Sequence, residues 1–424
     1  MPQSSRFVWR YWRSSIFFLA ICSTIYIAYD APAAIAQQAA PVPSSAPPSF
    51  AAPNASTPVR SPAVAQGSRG TTEQLRLAKQ LGTAETAVLD WVLANSGPIK
   101  GDTRAGQMRI AFSITPAEGW WDKAGNNRLA WHEAPDDAIH LRVFVLDLVD
   151  GRIVPGLTVR ANFIDANGNE QSAPLDFGWY PLINAYGGNV PMDTDSLYTL
   201  RVTVDPAVPH REGSPAERTT VAEFPPVQIS LDALDKQPLA TTAAVGNEAE
   251  LLKPCNAALS SAITELWQQS ASGAEKPAGD YFVGYALGSS ELAMQVAGAK
   301  LHPKNLIDFS GKENVRLSIL PRDSRTGRLI PNLKLQASLI APDGKTYGPG
   351  EMPLLWHSWI NQYQRDARIS RKGFYKLRVH FDAPGFRRWG RDSERFASPA
   401  DAEFDAVSLK PEPETPKHSE PQPE

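Results

Sequence analysis

The side chains that could do metal or acid–base chemistry are few and scattered. The 424-residue chain holds seven histidines, His132, His140, His210, His302, His357, His380 and His418, and no two lie close together in sequence. The motifs that build a nucleophile elbow, a zinc helix, a dithiol pair, a Walker loop or a dinucleotide turn are all missing. Hydrolase and nucleotide chemistry are therefore disfavoured, and the reading is of a protein that is not an enzyme. Any metal site would have to be assembled by the fold. The two cysteines are Cys22 and Cys255. Cys255 sits in a helical pattern and reads as a buried thiol. Arg387, Arg388 and Arg391 read as a solvated basic loop paired with Asp392 and Glu394.

The elements that must position these residues follow from composition. With 42% hydrophobic and 21% charged residues, the chain can bury two or three ordinary cores. A net charge of −3 argues against a nucleic-acid partner, which needs a basic face. Residues 1–36 read as a cleavable signal peptide: Arg6, Arg10 and Arg13, then an apolar stretch, then Ala34-Ile35-Ala36. The apolar stretch is short for a bilayer crossing, so an uncleaved anchor is the less favoured reading, and the expected location is the periplasm. Cleavage removes Cys22 and leaves no intramolecular disulfide. Residues 37–70 (Ala, Pro and Ser) and 411–424 read as a disordered linker and tail.

Between them one plan occurs twice, in residues 71–232 and 245–410. Each copy opens with apolar residues at helical spacing, Glu73 to Asn95 and Glu248 to Gln269. Next, "HLRVFVLD" (140–147) matches "NVRLSILP" (314–321), and both alternate as half-buried strands do. "LTVRANFID" and "LKLQASLIA" follow, closed by Asn167-Gly168 and Asp343-Gly344, dipeptides that favour hairpin turns. "YTLRVTVD" then matches "YKLRVHFD". The pattern predicts a mainly β fold: two tandem immunoglobulin-like antiparallel β-sandwiches, each preceded by a helix.

The order of blocks "MRIAFSI", "DDAIHLRV", "VPGLTVRANF", "AYGGNV" and "YTLRVTVDP" resembles the bacterial periplasmic ferrous-iron transport protein family. The resemblance covers Met108 to Leu231, and Tyr281 to Leu409 more faintly. It implies immunoglobulin-like proteins that hold copper or iron through histidines, a methionine and carboxylates, and that accompany an iron permease. His140 matches one family histidine and His210 another, so these two are the candidate metal ligands. The departures are as informative. Arg142 stands for the family's glutamate, Ala185 for the histidine of its His-Tyr-Gly block, and Gly178 and Leu182 near its methionine and aspartate. In the second copy Asn314 is expected at the first histidine, Arg316 at the glutamate and Gln362 at the second histidine.

A cation beside a divalent metal disfavours binding, so Arg142 and Arg316 oppose the site wherever they point inward. Taken alone, His140 reads as a strand histidine with one solvated face, and His210 as a loop histidine. Two functions follow. One is a periplasmic accessory protein of iron or copper uptake with a degenerate metal site. The other is a non-metal envelope protein that binds a protein partner through the same sandwiches.

Overall fold

The structure, a computed structural model, describes residues 70–192, 196–205, 219–230, 234, 247–289, 315–357, 359–369 and 373–409. The expected signal peptide, residues 37–69 of the linker, His210, Asn314, the tail and most of the segment joining the repeats lie outside the described residues. None of the described helices is long and apolar enough to cross a membrane.

The fold is mainly β with several antiparallel sheets, as the strand patterns predict. In repeat one the first sheet is built from Lys100–Ala105, Met108–Pro116, Ala138–Asp147 and Ala185–Pro191. The second contains Thr158–Ile164 between Glu170–Trp179 and Ser196–Asp205. Glu170–Trp179 pairs with the second sheet at its start and with Ala185–Pro191 at its end, so it links the two layers. Repeat two copies this order with Ser272–Ala278, Tyr281–Ser289, Val315–Asp323 and Asn361–Ala367 in one sheet. Its other sheet holds Thr346–Met352, Leu335–Ile340, Gly373–Phe381 and Ala400–Leu409. The linking strand is here broken into Thr346–Met352 and Leu354–Trp356 at Pro353, a residue with no backbone N–H for a ladder.

The strand Ala138–Asp147 corrects the half-buried expectation, because all ten of its residues are buried. Ile139, Leu141, Val143 and Val145 fill the sandwich interior, while Phe144 and Leu146 pack under a helix with Leu77, Leu81 and Leu89. That helix, α1 (Thr72–Asn95), starts in a capping box formed by Thr71 and Gln74. It passes so close to the turn after the strand that a Cβ on Gly82 would lie 2.0 Å from the Asp150 carbonyl oxygen. In repeat two Leu320 lies beneath α2 (Glu248–Gln268) in the same way, and Cys255 is buried on that helix. The alternation marks which face is which. It does not say that a helix covers the second one.

The tight turns after these strands reset the correspondence of the repeats. Asp147 N–H donates to Arg152 O at 2.9 Å and Asp323 N–H to Arg328 O at 2.8 Å, with Gly151 and Gly327 at φ 86° and 73°. A residue therefore matches one 176 positions later, and His140 corresponds to Arg316 rather than to Asn314. The shift from the sequence expectation is two residues, which preserves strand alternation and so leaves no trace in an apolar pattern.

The repeats grip each other reciprocally. Arg152 lies 4.5 Å over the Trp356 ring and donates to His357 O at 3.0 Å. Its counterpart Arg328 lies 4.1 Å over Trp179 and donates to Tyr180 O at 2.8 Å. Such an exchange of equivalent contacts is the mark of a two-fold interface, here inside one chain. The two helices pack antiparallel, with Gln74 at the start of α1 donating to Gln269 at the end of α2, 2.7 Å. Burial of their facing leucines contributes about 1.5–3 kcal/mol for each side chain.

The arginine segment is also corrected. Arg387–Trp389 is a short strand that joins the sheet of repeat one, parallel to Glu170–Trp179 and antiparallel to Trp120–Lys123. Arg388 is fully buried and donates to the carbonyls of Pro384, Phe386, Arg395 and Phe396. Arg391 pairs with Glu133 of repeat one at 2.6 Å. A chain of arginines reads as solvated because their partners, backbone carbonyls above all, are invisible in sequence.

Candidate functional site

His140 is wholly buried on the outer face of its strand, opposite Asn189 in the neighbouring strand. Its Nδ1 lies 2.9 Å from Asn189 Oδ1 and its Nε2 lies 3.0 Å from the Tyr180 hydroxyl. The backbone of Glu118 fixes which end of the amide faces the ring: Asn189 Nδ2 donates to Glu118 O at 2.7 Å, and Asn189 Oδ1 accepts from Glu118 N–H at 3.1 Å. Nδ1 therefore carries the proton, and Nε2 accepts from the Tyr180 O–H. Burial, then the charges of Arg142 and Arg387, lower the imidazole to about 3. Asn189 acts the other way but is outweighed. The ring is neutral at any physiological pH, and its one lone pair is already used.

Two glycines make this arrangement possible. A Cβ on Gly187 would sit 2.1 Å from the Tyr180 hydroxyl, and one on Gly178 would sit 2.6 Å from Trp389 Nε1. Gly178 leaves the space that a tryptophan from repeat two fills. Trp389 packs 4.2 Å from the His140 ring and stacks on Tyr180 at 6.0 Å.

Arg142 shares the His140 face, as strand alternation requires. Its guanidinium is buried and donates to Ser96 Oγ at 3.0 Å, and that hydroxyl donates in turn to Val92 O at the end of α1. Glu118 is buried beside it. Burial raises the Glu118 carboxyl, against the pull of Arg142 and Thr115. Neither of its oxygens makes a well-formed hydrogen bond.

The expected site residues thus separate. His140 lies in this chamber, beside Arg142, Gly187 and Asn189. Ala185 opens the strand Ala185–Pro191, which lies between two others in the sheet. Tyr186 itself faces the sandwich core, where its hydroxyl accepts from Leu157 N–H and donates to Val154 O, both at 2.9 Å. Tyr363 repeats that clamp on Leu333 N–H and Ile330 O. Each of the two tyrosines pins the backbone segment before it. Met352 fills the core of repeat two, and Trp356 and Trp359 are buried.

Tyr180, Glu118 and Trp389 were not singled out by sequence. The available signal was Gly178 and Gly187 inside strands, which marks close approach of another group.

Copper or iron held as the family resemblance implies does not fit these residues. His140 spends its lone pair on Tyr180, a buried guanidinium shares its face, and the described positions matched to other family ligands hold Ala185, Gly178 and Leu182, which have no ligating side-chain atom. Among the described residues no three His, Cys, Asp or Glu side chains converge to hold an ion.

No protein-family model matches the chain, and no curated protein matches it. Solved structures that resemble it include FetP of uropathogenic Escherichia coli, at 15% identity and TM-score 0.26, covering 32% of this chain and 98% of that one. A copper-bound variant of Campylobacter jejuni P19 has 18% identity and TM-score 0.26, covering 32% and 96%. A DUF4426 family protein of Pseudomonas aeruginosa has 13% identity and TM-score 0.22, covering 31% and 98%. Likenesses of this strength assign no function.

Proposed function

We propose that this chain is an exported, non-catalytic envelope protein of ferrous-iron transport ancestry that acts through protein contacts rather than by holding metal. The ancestry rests on the block order from Met108 to Leu231, and export on the N-terminal pattern. One observation carries the non-metal reading: both ring nitrogens of His140 are hydrogen-bonded to neutral groups while Arg142 lies on the same face. A divalent ion there would have to break the Tyr180 bond and tolerate a buried cation. The old ion pocket has become a polar lock between the repeats. An iron permease or another envelope protein is the partner this reading calls for.

Calorimetric titration of the protein with Cu(II) and anaerobic Fe(II) tests it. The expected result is no saturable heat from either ion. Saturable binding that disappears in His140→Ala would restore the metal-carrying reading. A pull-down from envelope extract with and without chelator completes the test: one partner is retained in both, and a partner lost with chelator would contradict the proposal.

A further inference from the structure

A partly open cavity of about 100 Å³ lies where the two helices meet both repeats. Its walls are mostly aliphatic, with Leu81 and Val88 from α1, Leu252 and Leu259 from α2, and Ile319 and Ile330 from repeat two. Polar residues interrupt them, among them Glu85, Asn256, Asn361 and Gln362. Glu85 Oε2 accepts from Ile153 N–H at 2.7 Å, and its other oxygen has no protein donor among the described residues. Low-polarity surroundings raise this carboxyl to about 7, so near neutral pH it can either accept or donate a hydrogen bond. The side-chain amide oxygens of Asn256, Asn361 and Gln362 have no hydrogen-bond partner among the described residues. The Gln362 amide nitrogen is spent on Gln364 Oε1 at 2.6 Å.

The remaining groups limit what fits. Arg328 lines the cavity and directs three of its five N–H donors to Thr326, Asn184 and Tyr180 O, so its charge repels a cation. Burial holds the Cys255 thiol protonated, up to about 12, so it supplies no anion. An apolar cavity at a domain interface with a few polar groups is the usual form of a small-molecule site.

We propose that the cavity between the repeats binds a short-chain aliphatic alcohol, with its hydroxyl on Glu85 and its chain among the leucines. A cavity of about 150 Å³ holds benzene, so this one suits about three to five carbons. The site is independent of the His140 chamber.

Methyl NMR of the full chain, titrated separately with butan-1-ol and 1-chlorobutane, tests the proposal. The Leu81, Val88, Leu252 and Leu259 methyl signals should shift saturably with butan-1-ol. Binding should weaken about tenfold with 1-chlorobutane, and likewise for butan-1-ol in Glu85→Leu, as loss of a buried hydrogen bond implies. Val88→Phe should abolish the shifts of the remaining reporters by filling the space, and Val88→Ile, which adds one methylene, serves as a milder filler if that variant does not fold. Non-saturating shifts, or equal affinity for the two probes, would overturn the proposal.

Discussion

At the same place in the duplicated fold, repeat one holds His140 against Asn189 and repeat two holds Arg316 against Asp366, each pair 2.9 Å apart across adjacent strands. One pair is neutral and sealed; the other is an ion pair whose members keep 15% and 17% of their side-chain surface in water. Cover decides which chemistry survives. Trp389 closes over His140, and the buried imidazole is held there neutral, with both ring nitrogens hydrogen-bonded. Repeat two leaves its position partly open, so a charged pair is tolerated. The two repeats therefore share their tyrosine clamps and turns while the positions of His140 and Arg316 differ by environment.

Removing the cover should have the largest effect. Trp389→Ala is expected to cost about 3–5 kcal/mol in chemical denaturation, as large aromatic truncations in cores do. It should also let water reach His140 and move its pKa back towards the ordinary histidine range.

The next effect separates the repeats by pH. His140 titrates near 6.5 when unfolded and near 3 when folded. Its stabilising contribution is complete above pH 6.5 and is lost as pH falls towards 3, at about 1.4 kcal/mol per pH unit. The matching position in repeat two holds no histidine, so it adds no such step of its own. His140→Gln should flatten the acid limb of the stability curve, measured by denaturant melts from pH 7 to 4.

Asp366→Asn removes the charge partner of Arg316 and should cost about 1–3 kcal/mol, less at high salt. The smallest effects should come from the clamps. Tyr186→Phe and Tyr363→Phe each delete a hydroxyl that bridges two backbone groups, for about 1–2 kcal/mol apiece. Equal losses would confirm that the clamps are equivalent, and clearly unequal ones would show that the duplication did not preserve them.

Much of the fold was legible because its signals are local. Helical spacing located α1 and α2, and Asn167-Gly168 and Asp343-Gly344 marked hairpins whose glycines adopt φ 82° and 83°. What escaped was long-range. The helix covering Ala138–Asp147 lies across the fold from it in sequence, so alternation alone suggested solvent. The matching of Arg316 to His140 depended on the turn at Asp323, because a two-residue slip keeps every side chain on its face. The candidate site was half legible: His140, Arg142 and Asn189 stood in the quoted blocks. Tyr180 and Glu118 are brought in by neighbouring segments, and Trp389 comes from the other repeat, some 250 residues away in the chain.

The most direct measurement is the imidazole nitrogen NMR spectrum of His140, followed across pH with and without Cu(II). A neutral ring with the proton on Nδ1, unchanged down to about pH 4 and unaffected by copper, is the predicted result. A ring that titrates near 6.5, or whose Nε2 signal is altered by the ion, would show an open metal-binding pocket and contradict the lock.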